Sequence, residues 1–274
     1  MSELSGFDAY SPQQIAKRVE MAGVAKDRLP ILSLLMLSVL AGAFIGLGAL
    51  YFVLIRSDAS LSFATKQVLG GIAFSLGLIL VVIAGAELFT GNNLLVMARA
   101  AGKISTRGLL VNWTIVFVGN LAGSLGLVLL VYLSRHAEMN DGAIAQEYLK
   151  IAAAKISLPF WTAFFRGVLC NSLVCLAIWM AMAGHSVIDK VVAIVFPISA
   201  FAAAGFEHSV ANMYLLSIAM VLQELDPSQA AHAITWLGVL KNMIAVVLGN
   251  VLGGSMLVGF VYYVIYLRRG KHRT

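Results

Sequence analysis

The chain has 274 residues, of which 60% are hydrophobic and only 12% are charged, and its mean hydropathy is +0.91. A soluble domain of this length cannot bury so much apolar surface, so the composition excludes a soluble protein and indicates an integral membrane protein. The net charge of +6 does not indicate nucleic-acid binding, because the lysines and arginines lie mostly at the ends of apolar segments and form no basic patch.

Residues 1–30 form a polar region that we expect on the cytoplasmic side, with no pattern of a cleaved signal peptide. The stretch Ser11–Gln14 combines a hydroxyl cap, a proline at the first helical position and a glutamine three residues after the cap, so a helix is predicted to begin there. Ile15, Val19 and Ala22 share one face of this helix between basic residues. We interpret it as an amphipathic helix on the membrane surface; a solvated tail is the alternative.

Six apolar segments follow and define a transmembrane region over residues 31–267. Four are continuous, whereas the second is interrupted at Glu87 and the fifth at Glu207. The predicted spans are 31–55, 68–98, 108–133, 158–183, 191–222 and 234–267. A polar stretch, Ser134–Lys155, is predicted to be the longest loop and to separate two halves, and residues 268–274 are predicted to be a basic cytoplasmic tail.

Two motifs recur in the same order, which predicts an internal repeat. Gly85–Asn92 reads GAELFTGN and Gly205–Asn212 reads GFEHSVAN, 120 residues later. Gly119–Ser124 reads GNLAGS and Gly249–Gly254 reads GNVLGG, 130 residues later. Because each half has three spans, the halves must cross the membrane in opposite directions. Counting Lys and Arg gives 12 on the inner segments and 5 on the outer ones, which predicts that both termini are cytoplasmic.

The two interruptions predict a pore or substrate site, because non-helical backbone at membrane depth must face protein or a watery cavity. A helix that restarts near the midplane points its positive end inward, and two such ends favour an anion. The residues predicted to cap the restarted helices are Thr90, Asn92, Ser209 and Asn212. Glu87 and Glu207 are predicted to accept hydrogen bonds from the freed backbone amides. Gly85, Gly205 and Asn250 are assigned to the structure of the breaks.

His208 is the candidate functional side chain, because an imidazole at mid-membrane depth is costly and its unperturbed pKa lies near neutral. We predict that it helps a weak acid cross as the neutral species, or as a closely hydrogen-bonded equivalent. The alternative is a structural histidine satisfied by a neighbouring amide such as Asn171. No metal site is predicted, since the other histidines lie in loops or the tail: His136, His185, His232 and His272.

Gly205–Met213 (GFEHSVANM), Gly85–Asn92, Cys170–Met180 (CNSLVCLAIWM) and Gly249–Gly254 together resemble the formate/nitrite transporter family of bacterial anion channels. The resemblance implies an all-α membrane protein with six spans in a 3+3 inverted repeat. It also implies an aquaporin-like protomer with one pore, and a homopentamer in the lipid bilayer of the cytoplasmic (inner) membrane. Spans two and five would be broken by loops, as the apolar segments predict independently.

The resemblance also implies residue roles. The implied constrictions are Leu78, Leu88 and Phe89 with Thr90 on the cytoplasmic side, and Phe74 and Phe201 on the outer side. His208 and Asn171 would lie between them, and Lys155 would gather anions at the outer vestibule. Phe206 favours formate over nitrite, whereas Asn92-Asn93 departs from several formate carriers. We predict a pH-dependent and proton-linked channel for small monovalent weak-acid anions, first of all formate, with nitrite and hydrosulfide as alternatives.

Two alternatives come from other classes of protein. An aquaporin-like channel for neutral solutes needs two Asn-Pro-Ala caps, and no proline of this chain follows an asparagine. A membrane enzyme using Glu207 and His208 as acid and base needs a polar cluster of substrate size, which the sequence lacks. We therefore predict no enzymatic activity and no cofactor.

Overall fold

A computed structural model describes residues 9–225 and 233–268, and over these ranges the chain is helical without β-strands. The ten α-helices of this part are α1 (Pro12–Asp27), α2 (Ile31–Arg56), α3 (Phe63–Leu80), α4 (Val96–Ala100), α5 (Thr106–Leu133), α6 (Ala143–Ile156), α7 (Phe160–Ala181), α8 (Val187–Ala203), α9 (Ser209–Leu225) and α10 (Trp236–Val251). π-helical turns extend α3 to Gly85 and α10 to Leu267. The all-α class is as predicted, and nearly all of the predicted basic tail lies outside the described residues.

Among the described residues, five helical segments are long and apolar enough to cross a membrane. They are Ile31–Arg56, Phe63–Gly85, Thr106–Leu133, Phe160–Ala181 and Trp236–Leu267. The predicted fifth span is divided between α8 and α9, which have 17 residues each. This arrangement is consistent with six spans, two of them broken, and the 3+3 inverted count stays a prediction.

Both breaks begin at a glycine in the left-handed region. Gly85 has φ +83° and Gly205 has φ +69°, a conformation that strains any residue with a Cβ atom. Non-helical backbone follows over residues 86–90 and 206–208, after which a 3₁₀ turn, Gly91–Leu95, or helix α9 begins. The interruptions thus lie where Glu87 and Glu207 predicted them.

Close helix contacts bring each break to a neighbouring pair of helices. A Cβ atom on Gly42 of α2 would overlap the carbonyl oxygen of Asn120 on α5. In the other half, a Cβ atom on Gly249 of α10 would overlap the carbonyl oxygen of Phe164 on α7. Glycine is required at both crossings because the two backbones touch, and this approach lets an asparagine of one helix reach the backbone of the next.

The predicted long loop is wrong over its second half, because residues 143–156 form helix α6. Ile144, Tyr148 and Ile151 share one face of this helix and are buried, with exposed fractions of 0%, 0% and 9%. The Tyr148 and Tyr214 hydroxyls lie 2.8 Å apart and attach α6 to α9. The apolar spacing of three and four residues is the sequence signal for this helix, although charged residues lie between.

Helix α1 begins with the predicted capping box, in which Ser11 and Gln14 each bind the other's backbone amide. Its apolar face packs against the rest of the protein, and its position along the membrane surface stays a prediction. Ile15 and Val19 are buried in a cluster with Trp179, and Lys103 binds the Glu20 carboxylate at 2.8 Å. These contacts exclude the solvated-tail alternative.

Candidate functional site

One asparagine holds the backbone of the first break. Asn120 accepts a hydrogen bond from the Phe89 amide at Oδ1 (2.9 Å). Its Nδ2 donates to the carbonyl oxygens of Ser38 (2.7 Å) and Glu87 (2.9 Å). Asn120 is fully buried, and two of its bonds satisfy break backbone groups, the Phe89 amide and the Glu87 carbonyl, far from water, while the third attaches the break to α2 at Ser38.

Asn250 makes the same three bonds in the second break. Its Oδ1 accepts from the Ser209 amide (2.9 Å), and its Nδ2 donates to the carbonyl oxygens of Gly167 (2.8 Å) and Glu207 (3.0 Å). Asn120 and Asn250 occupy equivalent positions in the two GN motifs. The predicted repeat is therefore present in the hydrogen bonds as well as in the sequence.

The two carboxylates form ion pairs, and the prediction that they bind freed backbone amides is wrong. Glu87 lies 3.0 Å from Lys26 Nζ and accepts a bond from Asn92 Nδ2 at 2.8 Å. Glu207 lies 2.9 Å from Lys155 Nζ and accepts one from Asn212 Nδ2 at 2.7 Å. Burying a carboxylate without a counterion costs far more than burying an unpaired backbone amide. The lysine side chains therefore pair with the glutamates.

A further asparagine completes each ion pair. Asn92 donates to Asn112 (2.9 Å), which in turn donates to the carbonyl oxygen of Lys26 (3.5 Å). The equivalent bonds run from Asn212 to Asn242 (2.9 Å) and from Asn242 to the carbonyl oxygen of Lys155 (3.0 Å). The sequence analysis missed Lys26, Asn112 and Asn242 as parts of the site. The signal was the offset, because Lys26 and Lys155 are 129 residues apart and the two asparagines 130.

The predicted helix caps are also wrong. Asn92 and Asn212 donate to carboxylates, and the Thr90 and Ser209 hydroxyls bind no helix amide. The side chain at the start of α9 that accepts a helix amide is His208, whose Nδ1 receives the Ala211 N–H at 3.0 Å. An imidazole nitrogen can replace the usual cap oxygen, because the N-terminal amides of a helix need only an acceptor.

His208 is therefore fixed at both ring nitrogens. Because Nδ1 accepts from Ala211, the hydrogen bonds require the neutral tautomer with its proton on Nε2. Nε2 lies 3.0 Å from the Thr90 hydroxyl, which belongs to the other break. The Phe201 ring stacks on the imidazole at 5.8 Å, and Phe74 approaches it edge-on at 6.5 Å. This contact joins the two halves of the repeat at one buried polar pair.

Asn171 does not bind His208, so the structural alternative named the wrong partner. The neighbouring amide that satisfies the histidine is the backbone amide of Ala211, and a structural His208 stays the alternative. Asn171 Nδ2 donates to Asn93 Oδ1 (2.8 Å) and to the carbonyl oxygen of Asn250 (2.7 Å). Its Oδ1 is buried and has no hydrogen-bond partner among the described residues. Asn171 thus contacts Asn93, which follows the first break, and Asn250, which holds the second break.

Two cavities approach the breaks from opposite ends of α2. One, of about 500 Å³, is lined by α1 and by Glu87 and Leu88, and we name it the α1-side cavity. The other, of about 220 Å³, is lined by α6, His208 and Phe201, and we name it the α6-side cavity. No residue lines both. They lie at opposite ends because α1 precedes α2, whereas Arg56 at the end of α2 binds Glu147 of α6 at 2.7 Å.

Three of the five predicted constriction residues line these cavities: Phe74 and Phe201 the α6-side cavity, and Leu88 the α1-side cavity. Leu78 and Phe89 line neither, although both are buried. The Phe89 ring packs edge-on against Phe117 of α5, with ring centroids 5.1 Å apart.

The described residues contain no group of three or more His, Cys, Asp or Glu side chains that is placed to hold a metal ion. His232 and His272 lie outside these residues. Cys170 and Cys175, inside them, are both buried and unbonded to each other.

Comparison with known families gives a single assignment. The model of the family described as Formate/nitrite transporter matches residues 13–264. The chain belongs to the formate/nitrite transporter family. Membership makes it a multi-pass membrane transport protein, and the enzyme and aquaporin alternatives are set aside.

Relatives within the family match along nearly their whole length. The chain is 37% identical to "Formate channel FocA" of Escherichia coli (strain K12), covering 97% of this chain and 98% of FocA. It is 36% identical to "Probable formate transporter" of Methanothermobacter thermautotrophicus, with coverage of 96% and 99%. It is 33% identical to "Formate channel FocA" of Haemophilus influenzae, with coverage of 92% and 93%.

Solved structures agree with the fold. "Pentameric formate channel with formate bound" is 36% identical, with a TM-score of 0.81 over 87% of this chain and 98% of that one. "FNT family ion channel" is 32% identical, with a TM-score of 0.80 over 92% and 98%. The predicted all-α membrane fold of this channel family is thereby confirmed, whereas the six spans in a 3+3 inverted repeat stay a prediction.

Proposed function

We propose that this chain is a channel for formate, and that it works as a homopentamer with one pathway per protomer. The observation that supports this most directly is the similarity to formate channels along almost the full chain, both breaks included. A buried imidazole between two cavities adds a chemical reason. Nitrite and hydrosulfide, also monovalent anions of weak acids, remain the alternatives within the family.

The pathway proposed runs from the α1-side cavity past Leu88, past the hydrogen-bonded pair of Thr90 and His208, and past Phe74 and Phe201 into the α6-side cavity. Leu88 and His208 occupy equivalent positions in the two breaks, each directly after the glutamate. The repeat therefore places an apolar side chain on one side of the pathway and an imidazole on the other. We assign Asn171 and the ion-paired glutamates to holding this geometry.

The proposed role of His208 follows from the cost of moving charge. Moving a bare anion into dry protein costs on the order of tens of kcal/mol, whereas a neutral carboxylic acid that keeps one hydrogen bond costs only a few kcal/mol. Nδ1 is occupied by Ala211, so Nε2, which contacts the Thr90 hydroxyl at 3.0 Å, is the nitrogen left for the pathway. In the proposed role its N–H exchanges Thr90 for the passing carboxylate. A proton taken up with the anion then gives formic acid, which crosses the apolar rings more cheaply.

Flux measurements on purified protein in liposomes test the proposal. Formate should cross faster than in protein-free vesicles and remain chemically unchanged. Formate, nitrite and hydrosulfide are compared at equal concentration and pH. Fastest relative flux of formate supports the assignment, whereas selective passage of nitrite or hydrosulfide transfers the function to that alternative.

The topology proposed has residues 1–30 and 268–274 in the cytoplasm and residues 31–267 as the channel domain, on the Lys and Arg asymmetry described above. A cysteine at Asn140, in an exposed turn between α5 and α6, should react with an impermeant thiol reagent in intact cells. A cysteine at Asp27, the last residue of α1, should react only after lysis. The reverse pattern would contradict the orientation.

Replacing Leu88 by alanine should increase the leak of larger and charged solutes through the channel. Leu88 is only 2% exposed and lines the α1-side cavity, so removing three carbons widens a dry passage that excludes hydrated ions. Leu94→Ala is the matched control, since Leu94 lines the same cavity away from the break. Unchanged chloride and acetate leak in Leu88→Ala vesicles would remove Leu88 from the constriction.

A further inference from the structure

Four basic side chains line the α6-side cavity, namely Arg56, Lys150, Lys155 and Arg166. Two of them are paired with buried carboxylates. Arg56 Nε lies 2.7 Å from Glu147, and Lys155 Nζ lies 2.9 Å from Glu207. Their charges are therefore largely compensated, including that of Lys155, the residue to which family resemblance gives the role of gathering anions.

Lys150 is unsuited to hold an anion inside the cavity. Its side chain is 76% exposed and lies 3.9 Å from Glu147. An exposed ammonium at this distance contributes little binding energy, because water and salt screen it.

Arg166 differs from the other three. It is half-buried on α7, and among the described residues no carboxylate lies within 4.0 Å of its guanidinium. Its only hydrogen bond to those residues is a long one, from Nη1 to the carbonyl oxygen of Gly205 (3.5 Å). The Arg166 carbonyl oxygen accepts the Glu207 amide at 3.3 Å, so its backbone is fixed to the same break that carries His208.

The first half of the repeat shows that the hydrogen bonds that hold a break do not need a cation at the position of Arg166. The Glu87 amide donates to the carbonyl oxygen of Leu37 at 3.1 Å, which makes Leu37 the equivalent of Arg166. Leu37 lines the α1-side cavity, just as Arg166 lines the α6-side cavity. A charge within an apolar span is costly and is retained where it acts on a substrate or ion.

We propose that Arg166 is the anion-binding residue of the α6-side cavity, and that it holds a carboxylate or similarly forked oxyanion next to His208. The planar guanidinium donates two parallel hydrogen bonds to such an anion, which a lysine or a partnered arginine cannot do. Hydrosulfide has one acceptor atom and cannot accept the two parallel hydrogen bonds on separate atoms. This inference rests on the proposed function and adds a residue that discriminates among the family's substrates.

The test measures initial flux against anion concentration in liposomes for wild type, Arg166→Leu, Arg166→Lys and the control Lys150→Gln. Leucine is chosen because Leu37, the residue equivalent to Arg166 in the first half of the repeat, makes the same backbone contact with its break. For formate, Arg166→Leu should raise the half-saturating concentration about tenfold and Arg166→Lys by a smaller factor, since hydrogen bonds to a charged group are lost. Lys150→Gln should change it less than twofold. For hydrosulfide, Arg166→Lys should match wild type.

Elution as an assembled oligomer and an unchanged unfolding temperature show that each variant is folded. If folded Arg166→Leu keeps the wild-type half-saturating formate concentration, or if Lys150→Gln changes it as much, the inference is overturned while formate transport stands. If wild-type protein moves no formate, the proposed function fails, and the same variants are compared with nitrite, a forked anion of equal charge. An unchanged nitrite dependence would then overturn the role of Arg166 on its own.

Discussion

Replacing His208 by asparagine should abolish the pH dependence of formate uptake while passive, charge-carrying efflux continues. In wild type, uptake should rise as the pH falls, because more of the transported anion then crosses with a proton. Asparagine is a good helix cap, so its Oδ1 can still accept the Ala211 amide that Nδ1 now accepts. Its shorter side chain loses the contact with Thr90 and has no ring N–H to donate to the passing carboxylate.

The expected loss in the pH-dependent component is about 100-fold, the lower end for a positioned group that takes part in proton transfer. The measurement is formate uptake into liposomes over a pH series, with efflux recorded on the same preparation. His208→Leu is the comparison, because leucine is the equivalent residue at position 88 but cannot cap α9. It should cost about 1 kcal/mol of stability in addition to the transport defect. A wild-type pH profile in His208→Asn would reduce His208 to a structural residue.

Replacing Glu207 by glutamine should destabilise the folded protein by about 3–5 kcal/mol, because it leaves the Lys155 charge without a partner. The two side chains are only 3% and 15% exposed, so water cannot replace the lost carboxylate. Glutamine still accepts the Asn212 bond and preserves volume, which isolates the charge. The readout is the unfolding temperature of the purified protein in detergent.

The repeat supplies the matched control. Glu87→Gln removes the equivalent charge, but its partner Lys26 is 29% exposed and can be hydrated more easily. It should therefore cost less than Glu207→Gln. The double variant Lys155→Met with Glu207→Gln should recover most of the stability, since no unpaired charge remains. Equal costs at the two glutamates, or no recovery in the double variant, would show that burial of the charge is not the cause.

The prediction for Lys155 follows from the same contact. If Lys155 served mainly to gather anions, its loss would slow transport without affecting stability. The 2.9 Å pair with Glu207 instead predicts that Lys155→Met alone lowers the unfolding temperature, because Glu207 is then buried without a counterion.

The sequence by itself determined the membrane class, the two breaks and the duplication. These are local properties: the length of an apolar run, a glutamate within it, and a motif that recurs at a fixed offset. The helix start at Ser11 was equally readable, because a capping box involves only neighbouring residues. The family motifs then predicted the fold by resemblance, since they are spread over most of the membrane region.

Only the tertiary structure decided which polar group meets which. The Phe89 amide is satisfied by Asn120, Glu87 by Lys26, and the cap of α9 by His208. The local sequence pattern predicted different partners for all three groups, because it pairs each group with the polar side chain nearest to it in the chain. In an apolar interior, however, every buried charge and amide must be satisfied, and the partners come from wherever close glycine contacts bring another helix. The same geometry pairs Lys155 with a carboxylate and leaves Arg166 without one among the described residues. This difference between the two cations cannot be read from the sequence.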